Sequence, residues 1–143
     1  MQTFLPYADY SLSAAVMDNQ RLGNQCYREC LTIIRGGWSN HPVSRMWRGY
    51  EHALCEYAFA CAVEMPKRGH WQRAVTVRWQ IYWAWKMTQY PNTGNPPWIG
   101  DQQFHLTHQR VLLHKHYDWY KWVWPWLLPL APIEGSYPYV WPV

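Results

Sequence analysis

Glu29 stands on a segment whose polar residues Arg21, Gln25, Arg28 and Thr32 recur at steps of three and four, the spacing that gathers side chains on one face of a helix. A carboxylate at the margin of such a face can take and return a proton, and guanidinium groups beside it can grip phosphate oxygens in pairs. Taken alone, a Glu next to an Arg on a helix is an ordinary solvated ion pair. A second group, Cys26 and Cys30 followed by His105, His108, His114 and His116, has the residue types of a zinc site. Its spacing matches no finger or ribbon, however, and the Cys pair falls on an apolar stripe where buried thiols are common. No metal site is expected. The chain also has no nucleophile elbow, Walker loop or dinucleotide fingerprint, which argues against serine-hydrolase, NTPase and oxidoreductase classes.

The elements that must position these residues can be read from periodicity. Leu12, Ala15, Val16, Leu22, Cys26, Cys30, Ile33 and Ile34 recur at helical spacing from Ser11 to Arg35, with Gly36-Gly37 as the stop, and predict a first helix. Met46, Trp47, Tyr50, Ala53, Leu54, Tyr57, Ala58, Cys61, Ala62 and Met65 trace a second apolar stripe from about Ser44 to Met65, ended by Pro66 and Gly69. Lys67-Arg68 at its carboxyl end suits the negative pole of the helix. In residues 71 to 90, Ala74, Val77, Ile81, Ala84, Trp85 and Thr88 fit a helix, although the aromatic and β-branched content also suits a strand; helix is the reading adopted. The Pro91 to Pro97 stretch is a linker inside the domain. Asp101 is placed to cap a further helix to about Tyr117, with Phe104, His108, Val111, Leu112 and the stem of Lys115 inward. From Trp119 to Val143, five of the eleven prolines accompany many rings, a composition for an extended tail. The expected fold is all-α: one domain over residues 1–143, with three main helices, an extra helical segment and an extended aromatic C-terminal tail.

At 143 residues the chain has the size of one domain. Its formal charge is +4, and nine of the thirteen basic residues are Arg, which suits a polyanionic partner without requiring one. Twelve Trp and eleven Tyr exceed what a core of this size needs, so some rings should reach the surface, where they can stack on bases; filling an irregular core is the other use for them. Four irregularly spaced Cys suit reduced thiols. The beginning Met1-Gln-Thr-Phe-Leu-Pro-Tyr has neither a basic nor a long apolar stretch, and no segment has the length of a membrane span. A cytoplasmic monomer away from membranes is expected.

Tyr27-Arg28-Glu29-Cys30 resembles the segment that carries the catalytic glutamate in the phage endonuclease V type of pyrimidine-dimer DNA glycosylases. The order continues with Lys67-Arg68-Gly69 closing a second helix, His108-Gln109-Arg110 on a third and Trp119-Tyr120-Lys121-Trp122 near the end. The opening Met-Gln-Thr-Phe-Leu-Pro-Tyr, Arg21-Leu-Gly and the closing Pro138-Tyr-Val-Trp-Pro142 look like a bacterial and phage branch assigned to this family. Together these motifs cover most of the chain, with residues 71 to 97 the poorest match.

The resemblance implies a cofactor-free, metal-free enzyme that removes a damaged base from duplex DNA. Its nucleophile is the chain's α-amine, which attacks the sugar C1′. An α-amine has a reference pKa of about 7.7 to 8.0, so a useful neutral fraction exists at cellular pH. Gln2 is too bulky for ordinary removal of the initiator Met, so the nucleophile implied here is Met1. By the same resemblance, Glu29 stabilises the charge developing at the sugar and later abstracts the C2′ proton. Arg21, Arg28, Arg110, Lys115 and Lys121 hold the DNA backbone, and Trp119, Tyr120 and Trp122 wedge or stack at the lesion, although packing in the core is the more common role for any one such ring. Two departures stand out: Thr32 falls where the family has a second Arg, leaving Arg35 to supply that charge, and Gln2 replaces a basic DNA-binding residue. Three functions remain open: excision of pyrimidine dimers with lyase activity, the same amine chemistry on another damaged or modified base, and DNA binding without catalysis.

Overall fold

A computed structural model of the chain describes residues 2–142. Among the described residues the fold is helical, and the only β-type pairing is an isolated bridge between Ile133 and Ser136. The elements are α1 (Tyr10–Val16), α2 (Asn19–Asn24), a π-helical turn (Gln25–Glu29), α3 (Cys30–Ile34), α4 (Pro42–Trp47), α5 (Glu51–Glu64), a 3₁₀ turn (Met65–Arg68), α6 (Arg73–Met87), α7 (Gln102–Lys115) and α8 (Tyr117–Tyr120). Among the described residues no helix is long and apolar enough to cross a membrane.

The first helix expected over Ser11 to Arg35 is interrupted. Met17 is extended (φ −69°, ψ 142°), and Asp18 restarts the chain as the N-cap of α2, its carboxylate accepting from the Arg21 N–H. A short acceptor side chain at that position satisfies an otherwise orphaned backbone donor. The carboxyl end of α1 is closed from a distance. The Arg68 guanidinium donates to the carbonyls of Ala14 (3.0 Å), Ala15 (3.1 Å) and Met17. Arg68 therefore caps a helix other than the one it follows, and periodicity alone cannot reveal that.

The second expected helix is likewise two. Arg48 is extended, Gly49 takes φ +88°, and the Gly49 N–H donates to Glu51 at the start of α5. A left-handed residue of this kind favours glycine and ends a right-handed helix. The apolar stripe was nonetheless identified correctly, and α5 forms the centre of the core with Leu54, Tyr57, Ala58 and Cys61 fully buried. All four cysteines are buried free thiols. Burial pushes those of Cys26 and Cys55 up to about 12, so they stay protonated and inert.

Residues 73–87 form a helix as read, but it is turned differently. Ile81 and Trp85, on the expected apolar stripe, are 64% and 55% exposed, while Thr76 and Trp83 are buried. The Trp83 indole N–H donates to the Cys26 carbonyl at 3.0 Å, so one long-range bond and packing on α5 decide the buried face. The helix after Asp101 matches the expectation more closely: Asp101 accepts from the Phe104 N–H at 3.0 Å, and Phe104, His108, Val111 and Leu112 are buried. It ends at Lys115, because His116 leaves helical geometry (φ −147°, ψ 70°). Lys115 itself is exposed. Beyond α8 the described residues form no helix, but the tail expected to be extended is interrupted by turns and by a reversal closed by the Ile133–Ser136 bridge, and Trp124 is inserted in the core.

Candidate active site

The segment Gln2 to Pro6 belongs to no helix and is buried, threaded through the helices. A buried segment without helix or sheet bonds must find partners for its peptide groups, and here side chains supply them. Gln25 Oε1 accepts from the Phe4 N–H at 3.0 Å and Gln25 Nε2 donates to the Gln2 carbonyl at 3.3 Å. The Tyr57 hydroxyl donates to the Phe4 carbonyl. His108 Nδ1 accepts from the Leu5 N–H at 2.9 Å, and His105 Nδ1 meets the Leu5 carbonyl at 2.8 Å. Trp47 Nε1 donates to Thr3 Oγ1 at 3.0 Å, and Gln109 Nε2 to the Pro6 carbonyl at 2.8 Å. Three helices and the π turn thus hold five residues of backbone in one register.

The buried segment begins at a cleft of about 500 Å³ lined by Gln2, Arg21, Glu29, His41 and Lys115, with Tyr137, Tyr139 and Trp141 of the tail among its other walls. Glu29 and Gln25 lie at opposite ends of the π turn, whose wider geometry is often found at functional sites. Burial holds the Glu29 carboxyl above its ordinary range, partly offset by nearby positive charge, Arg28 among it, and by the Gln2 backbone N–H. Arg28 Nε is 3.7 Å from Glu29, yet its side chain is 71% exposed, leaving it open to an incoming anion.

In the same cleft lining, the His41 Nδ1 accepts from the Val43 N–H at 3.1 Å as the cap of α4. That role requires the neutral ring with its proton on Nε2, in agreement with a pKa lowered by burial and by positive charge. Trp141 meets the His41 ring edge-on at 5.8 Å and Tyr139 packs on Trp141 at 5.2 Å. Lys115 Nζ lies 4.6 Å from the centre of the Tyr137 ring, and its pKa is lowered by burial and by Arg21. Arg21 itself bridges to Asp18 at 3.2 Å. The cleft thus offers one poised carboxylate, two cations suited to phosphate, a neutral imidazole and an aromatic wall.

The residues expected at the site are distributed unevenly. Met1 lies outside the described residues. Glu29, Arg21 and Lys115 share the cleft, and Arg28 stands beside it. Gln2, expected to contact DNA, also lines it, with its amide buried and without a hydrogen-bond partner. Gln25, read as part of an exposed polar face, is a core residue. Thr32 is tied to the Arg28 carbonyl at 2.7 Å and Arg35 is exposed at the end of α3, outside the cleft lining. Arg110 pins the tail through the Leu128 carbonyl, and Lys121 pairs with Asp118 at 3.4 Å.

The three rings expected at the lesion stand in different places. Tyr120 is fully buried, stacked on Trp124, with its hydroxyl donating to Asp18 at 2.5 Å. Burying that ring and satisfying its hydroxyl leaves nothing for a base to meet. Trp119 donates to the Val16 carbonyl and packs near Arg68, while Trp122 is 78% exposed; neither lines the cleft. The rings that do line it are Tyr137, Tyr139 and Trp141. Their alternate spacing was the available signal, since every second side chain of an extended segment shares a side.

Among the described residues, no group of three or more His, Cys, Asp or Glu is arranged to hold a metal ion. No curated protein and no solved structure matches the chain. A family model described as pyrimidine dimer DNA glycosylase matches residues 1–80, which include the threaded segment, Arg21, Gln25, Glu29, His41 and Tyr57. With that match spanning more than half of its length, the chain belongs to the pyrimidine dimer DNA glycosylase family.

Proposed function

We propose that this protein excises pyrimidine dimers from duplex DNA and cleaves the resulting abasic site through an imine formed by the α-amine of Met1. The observation carrying this reading is that Glu29 and Gln2, the residue joined to Met1, line one cleft. Gln2 is held there by its carbonyl's bond from Gln25, and the α-amine of this reading belongs to its covalent neighbour.

The amine nitrogen forms a bond to C1′ as the glycosidic bond breaks, and the base departs with the bonding electron pair. The amine gives one proton to the departing base, and its second passes to O4′ as the C1′–O4′ bond breaks and the ring opens to the imine. Glu29, whose raised pKa suits it to proton exchange, abstracts a C2′ proton, and those electrons expel the 3′ phosphate. Water then hydrolyses the imine and frees the amine. Arg21, Lys115 and the exposed Arg28 hold phosphates on either side. Base expulsion costs least at a damaged step, and Tyr137, Tyr139 and Trp141 offer stacking surfaces beside the sugar.

A second reading, the same amine chemistry on another damaged or modified base, is favoured by that wall: Tyr137, Tyr139 and Trp141 occupy the cleft in place of Trp119, Tyr120 and Trp122. Borohydride reduction of the untagged protein on a thymine-dimer duplex tests the first reading. A covalent product mapped to Met1, lost in Glu29→Gln, supports it. A product on abasic or otherwise modified DNA but never on the dimer selects the second. Salt-sensitive binding with no product on any duplex leaves a DNA-binding protein without catalysis.

A further inference from the structure

We infer that Gln25 is a positioning residue for this reaction, clamping the Gln2–Phe4 backbone so that the terminal amine is held at a fixed place relative to Glu29. The inference rests on the amine reading above. Gln25 is 1% exposed, and an amide buried so completely is costly unless both of its ends are bonded. Both are bonded to the same short stretch of chain: the carbonyl oxygen to the Phe4 N–H and the amide nitrogen to the Gln2 carbonyl. These groups flank Thr3, so the Gln25 side chain bridges the two peptide groups on either side of it. It recognises the backbone and its register rather than any side chain.

Two neighbours reinforce the clamp. The Tyr57 hydroxyl lies 3.1 Å from Gln25 Oε1 while bonding the Phe4 carbonyl, and Trp47 fixes the Thr3 hydroxyl. A slip of one residue would break all of these bonds and shift the chain by up to about 3.8 Å, the distance between consecutive Cα atoms. Productive attack needs reacting atoms about 3 to 3.5 Å apart, and an error of about 1 Å can cost about 100-fold in rate. Gln25 and Glu29 also belong to a single π turn, closed by the Cys30 N–H on the Gln25 carbonyl. One rigid piece of backbone therefore carries both the clamp and the carboxylate, and the spacing between amine and base is set by that turn.

The test uses the untagged full chain, single-turnover borohydride trapping on a duplex with one abasic site, and affinity for the same duplex measured separately. Gln25→Leu should bind within about twofold of the parent yet trap about 100-fold more slowly. Leu54→Ala, a core change that leaves every clamping side chain in place, should trap at the parental rate despite its lower stability. Gln25→Glu supplies a second readout that does not depend on comparing stabilities. Its neutral carboxyl can accept from Phe4 and donate to Gln2, whereas its carboxylate can only accept. The ratio of the Gln25→Glu rate to the parental rate should therefore rise as pH falls.

Trapping by Gln25→Leu within about threefold of the parent, an equal loss in Leu54→Ala, or a pH-independent ratio would each overturn the inference. A parent that never traps on abasic DNA would instead remove the amine reading on which it rests. The two failures are thus distinguishable.

Discussion

His108 Nδ1 accepts the Leu5 backbone N–H at 2.9 Å, joining residues 103 positions apart inside the core. The acceptor role holds the imidazole neutral, and burial drives its pKa down to about 3, with His105 adding to the effect. The threaded segment is therefore secured by a group that resists protonation throughout the physiological range.

Acid should loosen this anchor. The folded pKa is depressed from 6.5 to about 3, so the unfolded chain binds the extra proton first. The contribution of His108 is complete above about pH 6.5 and is lost as pH falls toward about 3, at a limiting slope of about 1.4 kcal/mol per pH unit. Denaturant titrations between pH 7.5 and 4 should show this slope, and His108→Asn, which keeps an acceptor without a titrating ring, should flatten it. An unchanged slope would place the acid sensitivity elsewhere.

Glu29→Gln should separate activity from stability. Strand cleavage should fall by about 10²- to 10⁴-fold, the range expected for loss of a general base. The carboxyl's folded pKa is raised, chiefly by burial, so ionisation favours the unfolded chain as pH rises above the unfolded value of 4.5. The variant should thus unfold at higher denaturant than the parent at neutral pH, with the difference fading below about pH 4.5. Paired unfolding curves at pH 7.5 and 4 check the sign.

Lys115→Gln should weaken binding to undamaged duplex irrespective of sequence and lower the slope of log affinity against log salt by about one. Lys121→Gln should leave that slope unchanged, because Lys121 pairs with Asp118 and lies outside the cleft lining. Fluorescence anisotropy over a salt series distinguishes the two. Equal losses would extend the DNA-facing surface to α8.

Arg68→Lys preserves charge while removing the planar fork that reaches the Ala14, Ala15 and Met17 carbonyls. A destabilisation of about 1 to 3 kcal/mol is expected in urea, the cost of buried groups left without partners. Trapping on abasic DNA at saturating protein should be unaffected, since Arg68 is not part of the cleft.

Several features were legible in the sequence because their causes are local. The stripe of α5, the Asp101 cap and the helix-free proline-rich tail follow from spacing and from the chemistry of single residues. Glu29 could also be singled out, through its place beside Arg28 in a short motif. Tertiary structure decided matters in which a polar group finds its partner far along the chain. Gln25 reads as a surface residue until Phe4 and Gln2 arrive to bond it, and Tyr120 as a free ring until Asp18 takes its hydroxyl. The rotation of α6 and the cap that Arg68 places on α1 depend on comparable long-range bonds. Periodicity records which side of a helix can be dry; a buried hydrogen bond between distant residues leaves no periodic trace, because its register is set only when the elements pack and the unpaired alternatives become costly.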